Sequence, residues 1–206
     1  MKRFFLASNS VHKAREFSAL VEVSAKTTGT PVIEIISASS MGGLPPVRED
    51  AGTLAGNARQ KAIALQGRLP LDAWVLADDS GLFVDALFGA PGVDSAIFAG
   101  THGDDAANLQ KLIGEMRRIP VTERSARFVC VLMVRGPQGI EKVFEAACAG
   151  TLLIEPRGTK GFGYDPIFVP NGCDQALAEM EPKVKNQLSH RGLAWTKFMR
   201  WLEECG

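Results

Sequence analysis

The sequence predicts an α/β fold, on three observations. Short apolar runs of strand length recur at residues 4–7, 31–37 and 74–77. Between them, apolar residues return every third or fourth position, as on one face of a helix. Two longer strand-like segments, residues 127–135 and 142–149, then flank Gly136-Pro137-Gln138-Gly139, a hairpin turn. With 206 residues, 46% hydrophobic and 22% charged, the chain suits one large domain or two lobes sharing a core. Its formal net charge is zero, so no global field draws in nucleic acid, and any anion site must be a local cluster.

Each element has its own signal. After residues 4–7 come Ser8-Asn9-Ser10, and then Val11, Ala14, Phe17, Leu20 and Val21 at helical spacing. A strand, a small polar loop and a helix together present free backbone N–H groups to an anion. Lys13 lies in the first turn, where the helix dipole disfavours a cation, so it reads as a phosphate ligand. An ordinary surface lysine on a capped helix is the plainer alternative. Val32, Ile33, Ile35 and Ile36 mark the second strand, and Gly42-Gly43-Leu44-Pro45-Pro46 a loop. Arg48-Glu49-Asp50 precede a helix with Leu54, Ala58, Ala62 and Leu65 on one face and Gly67 as its stop. Acids at a helix start suit its dipole, but Glu49 and Asp50 could also ligate a metal together with Asp78 or Asp79. Lys61, on that helix with Asn57, could reach a phosphate from the inner face.

The third strand, residues 74–77, is expected to end at Asp78-Asp79, with Gly81 breaking the run before Leu82-Phe83-Val84 resumes it. Neighbouring strand residues face opposite ways, so one carboxylate points inward or lies just past the strand end. Either way it needs a cation or a basic cluster as partner. A turn whose acids cap backbone N–H groups is the competing reading. Asp104-Asp105 open an amphipathic helix with Leu109, Leu112, Ile113 and Met116 inward, which reads as scaffold. Residues 152–154 add a short strand.

Two later stretches carry chemistry. Residues 156–166, PRGTKGFGYDP, hold three glycines within six residues, which implies bends or close approach to a ligand. Phe162 and Tyr164 offer flat surface for a base, and Asp165 can accept from a ring N–H. A glycine-rich turn with its aromatics in the core is the alternative. In residues 183–192, KVKNQLSHRG, Ser189 would cap a last helix bearing Ala194, Phe198, Trp201 and Leu202. His190 and Arg191 then sit against the dipole, as Lys13 does, and are candidates for ligand contact. The four cysteines form no CxxC pair and read as reduced. The N-terminal apolar stretch is too short for a secretion signal and no membrane span is present, so a cytoplasmic protein is expected.

A phosphate cradle, an acidic cluster, a base platform and base-edge readers are the inventory for a nucleoside triphosphate with magnesium. A metal would polarise a bridging phosphate and lower the pKa of water, which a carboxylate would orient or deprotonate. No GxxxxGK[ST] and no kinase motif set occurs.

The pieces LASNSVHK, NARQKA, ADDSGLFVDAL, GAPGVDSA, ARFVCVL, PRGTKGFGYDPIF and SHRG resemble, in order and over nearly the whole chain, the inosine triphosphate pyrophosphatase family. The resemblance implies hydrolysis of inosine, deoxyinosine and xanthosine triphosphates between the α and β phosphates. It implies an elongated mixed sheet flanked by helices, with two lobes around the substrate cleft, in a homodimer. By motif, Asp79 matches the general base, and Glu49 with Asp78 or Asp79 matches the Mg2+ ligands. Ser8, Asn9, Ser10, Val11, His12, Lys13, Lys61 and Ser80 match phosphate or sugar contacts. Phe162, Gly163, Tyr164 and Asp165 match the base platform and reader, and Lys185, His190 and Arg191 the opposite base edge. A 6-oxo purine offers an acceptor at O6 and a donor at N1, which suits His190 or Arg191 on one and Asp165 on the other. Adenine would leave buried donors unpaired.

The chain departs from the family where Thr-Gly-Asn is usual and Ser8-Asn9-Ser10 stands. It also has Gly56 in place of a glutamate, and lacks a tyrosine and an arginine near Asp94 and Ile97. The first loop also resembles the Maf-type nucleotide pyrophosphatases. A Maf-like enzyme for other modified nucleotides and a non-catalytic nucleotide-binding protein are the alternatives.

Overall fold

Alternating exposure along β1 (Lys2–Leu6) buries Phe4 and Leu6, and the chain then turns through Ser8-Asn9-Ser10 into α1 (Val11–Thr27). The computed structural model describes residues 2–27 and 33–205. Ser10 starts α1: its hydroxyl accepts the Lys13 N–H at 3.3 Å, and the Ser8 hydroxyl accepts the Ser10 N–H at 3.1 Å. Phe17 and Leu20 are buried, whereas Val11, at the same spacing, is exposed. β2 (Ile33–Ser37) pairs parallel with β1, placing Lys2 opposite Ile33. Pro31 and Val32, part of the expected strand, lie outside the described residues.

Thr53 sets the start of α2 (Leu54–Gln66), its hydroxyl accepting the Gly56 N–H at 3.0 Å, and Gly67 follows the last turn. Glu49 and Asp50 precede the helix, as expected, but in irregular chain separated from it by the Thr53 cap. β3 (Trp74–Val84) pairs parallel with β1 and runs unbroken through Asp78, Asp79 and Gly81. It does not end at the acids. A Cβ at Gly81 would run into the Gly92 carbonyl of β4 (Pro91–Gly92), so this glycine permits close approach of an antiparallel neighbour. α3 (Asp105–Met116) is capped by Asp104, whose carboxylate accepts the Ala107 N–H at 2.9 Å.

β5 (Ser125–Arg135) and β6 (Glu141–Leu152) meet across the expected turn. β6 already includes Leu152, so residues 152–154 are no separate strand. β7 (Phe168–Pro170) pairs antiparallel with β6, Gly150 opposite Pro170. Two helices close the chain, α4 (Pro182–Leu188) and α5 (His190–Cys205). The strands hydrogen-bond in the order β2-β1-β3-β5-β6-β7, with β4 beside β3, in a mixed sheet.

Two compact units result. The first comprises residues 1–79, 130–146 and 191–206, the second residues 80–129 and 147–190, so that β3, β5 and β6 each contribute to both. The first is packed around Phe4, Phe17, Leu76, Leu132, Trp195 and Phe198, the second around Leu82, Leu112, Phe128, Leu152, Ile167 and Phe168. No described helix is long and apolar enough to cross a membrane.

Candidate active site

In the first unit, β3 carries Asp78 and Asp79 side by side, and the pleat sends them to opposite faces. Both are buried, at 1% and 6% exposure. Asp78 is surrounded by donors. Lys13 and Arg191 Nη2 (3.3 Å) meet its Oδ1, while Arg191 Nε (3.0 Å) and the Cys130 thiol (3.2 Å) meet its Oδ2. Arg191 Nη1 continues to Glu16 Oε2 at 2.5 Å. Burial alone would raise the Asp78 pKa, but Arg191 and then Lys13 outweigh it and hold the carboxyl well below its usual range. For Arg191 burial opposes the charge, and Asp78 and Glu16 over-compensate.

Asp79 is in a different position. Its Oδ1 takes Lys61 Nζ at 2.6 Å, and its Oδ2 is buried with no hydrogen-bond partner among the described residues. Burial pushes its pKa up; Lys61 and Lys13 counter this only in part, and Glu49 adds to it. Lys61 Nζ also reaches Glu49 Oε2 at 2.8 Å, and these two carboxylates raise its pKa against burial. Lys13 and Lys61 both donate to the Asp78 carbonyl, at 3.3 and 3.4 Å, which brings the two ammonium groups to one peptide. Among the described ion pairs, Glu16, Glu49, Asp78 and Asp79 are thus linked through Lys13, Lys61 and Arg191.

In the second unit the glycine-rich segment is built around Asp165. Its Oδ2 accepts the Phe162 N–H at 2.9 Å and pairs with Lys185 Nζ of α4 at 2.7 Å, and both side chains are buried. Gly161 has φ +78°, and a Cβ there would collide with the Asp165 carboxylate. Phe162 is half-buried, with Lys185 Nζ 5.4 Å from its ring centroid. Tyr164 is buried, its hydroxyl donating to the Ser95 carbonyl at 2.8 Å, so its ring is a wall of the core. Burial, reinforced by Asp105, keeps that phenol protonated by pushing its pKa up. His190 stacks on Phe128 at 4.6 Å and 9°.

A family model described as the Ham1 family matches residues 4–201. The chain belongs to the Ham1 family. A dITP/XTP pyrophosphatase of Opitutus terrae is 52% identical over 199 residues, 97% of this chain and 98% of the relative. One of Geobacillus kaustophilus is 43% identical over 204 residues, 99% of this chain and 96% of the relative. The Ham1 protein of Staphylococcus aureus has a TM-score of 0.82 at 35% identity, covering 100% of both chains.

This Ham1-family chain brings together Lys13, Glu49, Lys61, Asp78 and Asp79, and separately Phe162, Gly163, Tyr164, Asp165 and Lys185. Adjacent in sequence, Arg191 belongs to the first group through Asp78, and His190 to the second unit through Phe128. Ser80, half-buried, follows Asp79 directly, while Asn9, Val11 and His12 are exposed on or beside the first turn of α1. Among the described residues no three His, Cys, Asp or Glu side chains gather as a metal cluster.

Sequence reasoning missed the supports. Glu16 and Cys130 complete the surroundings of Asp78. The Ser95 hydroxyl accepts the Leu82 N–H at 2.8 Å and donates to the Gly92 carbonyl at 2.6 Å. Asp105, on the helix read as scaffold, accepts the Gly163 N–H at 3.2 Å. Only Asp105 had a signal, as the second of two acids where one cap suffices.

Proposed function

We propose that this protein hydrolyses deaminated purine nucleoside triphosphates (ITP, dITP and XTP) to the monophosphate and pyrophosphate, with Asp79 as the general base. One observation carries this: a buried carboxylate oxygen, Asp79 Oδ2, with no hydrogen-bond partner among the described residues, on a group whose pKa burial raises. A structural aspartate would have its second oxygen satisfied, as Asp78 does.

Lys13 and Lys61 take the triphosphate charge, their ammonium groups converging on the Asp78 carbonyl. The Lys13 N–H is already used by Ser10, so its ammonium is the end that meets phosphate. Asp79 Oδ2 then accepts the proton of the attacking water, while Lys61 holds Oδ1 and so orients the carboxylate. Asp78 serves as the anchor that fixes Lys13 and Arg191.

Magnesium fits the residues present. Glu49 and Asp79 supply hard oxygen donors on either side of Lys61, which would leave other positions to water and phosphate. Bound there, the ion would neutralise phosphate charge and polarise the bridge to be cleaved. By the family motif, Phe162 would offer a base its face and Asp165, paired with Lys185, the acceptor for N1–H. The opposite edge falls to His190 and Arg191 by the family motif, and the same resemblance supports a cytoplasmic homodimer.

The test is pyrophosphate release across a panel of ITP, dITP, XTP, ATP, GTP and modified pyrimidine triphosphates, with magnesium and with EDTA. Inosine and xanthosine nucleotides should dominate. Equal turnover of ATP would sink the specificity, and preference for a modified pyrimidine would favour a Maf-like enzyme. Full turnover by Asp79→Asn would sink the mechanism.

A further inference from the structure

Glu49 lies in a segment with no backbone ladder of its own, since residues 43–53 form neither helix nor strand. Side chains hold it instead. At its far end, α2 contributes Asn57, whose Oδ1 accepts the Ala51 N–H at 3.1 Å, and Gln60, whose Nε2 donates to Asp50 Oδ1 at 3.0 Å. At its near end the Gly43 N–H donates to the Ala38 carbonyl at 2.8 Å and Arg68 Nη1 to the Gly43 carbonyl at 3.5 Å, and Asn9 holds the next residue. Asn9 Oδ1 accepts the Leu44 N–H at 2.7 Å, and Asn9 Nδ2 donates to the Leu44 carbonyl at 3.3 Å.

This reciprocal pair gives Leu44 the two bonds it would make to a residue of a neighbouring antiparallel strand. Gly43 makes room for it: its φ is +86°, and a Cβ there would stand 3.2 Å from Asn9 Oδ1. Asn9 itself sits in the loop that leads into Lys13, between two serines whose hydroxyls bond the local backbone. One amide therefore fastens the segment carrying Glu49 to the loop carrying Lys13.

We infer that Asn9 is a positioning residue for the cation site, holding Glu49 where it and Asp79 share Lys61, and that it contacts neither phosphate nor base. This rests on the reading of Glu49 as a magnesium ligand. Without the tether, the stretch from Leu44 to Asp50 loses its link to the Lys13 loop and is held only through Gly43 and through α2, so a cation must supply part of the ordering from its own binding energy.

The experiment compares wild type, Asn9→Ala, Asn9→Asp and Glu49→Gln. Three quantities are read: half-saturating magnesium for dITP hydrolysis, KM for dITP at saturating magnesium, and hydrogen exchange of the Leu44 amide in metal-free protein. Asn9→Ala should raise half-saturating magnesium about fivefold or more, the loss expected for one or two hydrogen bonds. It should also speed Leu44 exchange while leaving KM at saturating magnesium within about twofold of wild type. Asn9→Asp, which keeps the acceptor for the Leu44 N–H, should recover most of the magnesium response. A raised KM with unchanged half-saturating magnesium would make Asn9 a substrate contact and overturn the inference. Lower thermal stability with an unchanged magnesium response would do the same. If Glu49→Gln responds to magnesium as wild type does, the metal reading itself fails. If Glu49→Gln loses the response and Asn9→Ala keeps it, only the role of Asn9 fails.

Discussion

On one face of β3, the Asp78 carboxylate is met by Lys13, Arg191 and a thiol; on the other, Asp79 has Lys61 on one oxygen and no described hydrogen-bond partner on the second. The residues are adjacent, identical in type and both buried, yet their pKa values move in opposite directions. Burial is the largest single influence on each and has the same sign, so the difference comes from the neighbours. A carboxylate with two close cations behaves as an anchor. One sharing a lysine with Glu49 keeps a basic oxygen and bears the cost of its own burial.

The largest expected effect is on turnover. Asp79→Asn should lower kcat by about a hundredfold to ten-thousandfold, the range for loss of a general base, while the protein stays folded. Next is stability. Asp78→Ala leaves Arg191 and Lys13 charged beside an emptied site, and removing one partner of such a buried pair costs about 3–5 kcal/mol, measurable by urea denaturation.

The signs also separate the two aspartates in EDTA. The Asp78 pKa is depressed in the folded state, so its contribution is present above the unfolded value of about 3.9 and is lost as pH falls through the folded pKa. The Asp79 pKa is raised, so ionisation of that group weakens the fold as pH rises through its folded pKa. Asp79→Asn should therefore hold or raise the Tm at pH 7, where Asp78→Asn lowers it. A fall in Tm of equal size for both would erase the distinction between the two aspartates.

The glycine-rich segment of the second unit sharpens the contrast, since it is shaped by backbone more than by charge. Gly161→Ala forces a Cβ toward the Asp165 carboxylate at a left-handed position. It should raise KM for ITP roughly tenfold or more through the disturbed pair with Lys185, with a smaller change in kcat. The smallest effect is expected for Tyr164→Phe. Removing the hydroxyl leaves the Ser95 carbonyl without that donor and should cost about 1 kcal/mol of stability, seen as a lower denaturation midpoint.

The α/β class and the starts of α1, α3 and α5 are legible in the chain alone, because periodicity, caps and short motifs are local properties. Asp104 opens α3 where the sequence places its start, and Glu49, Lys61 and Asp79, singled out one by one in the sequence, are joined by ion pairs in the structure. That β3 continues through both aspartates was visible only in the folded protein, because the reason is a neighbouring strand: Gly81 admits the Gly92 carbonyl. The same holds for Arg191, which pairs with Asp78 and Glu16, residues 113 and 175 positions away. No local pattern encodes a contact across that separation. The opposite situations of Asp78 and Asp79 arise in the same way, from cations delivered by α1, α2 and α5, which only folding brings to one strand.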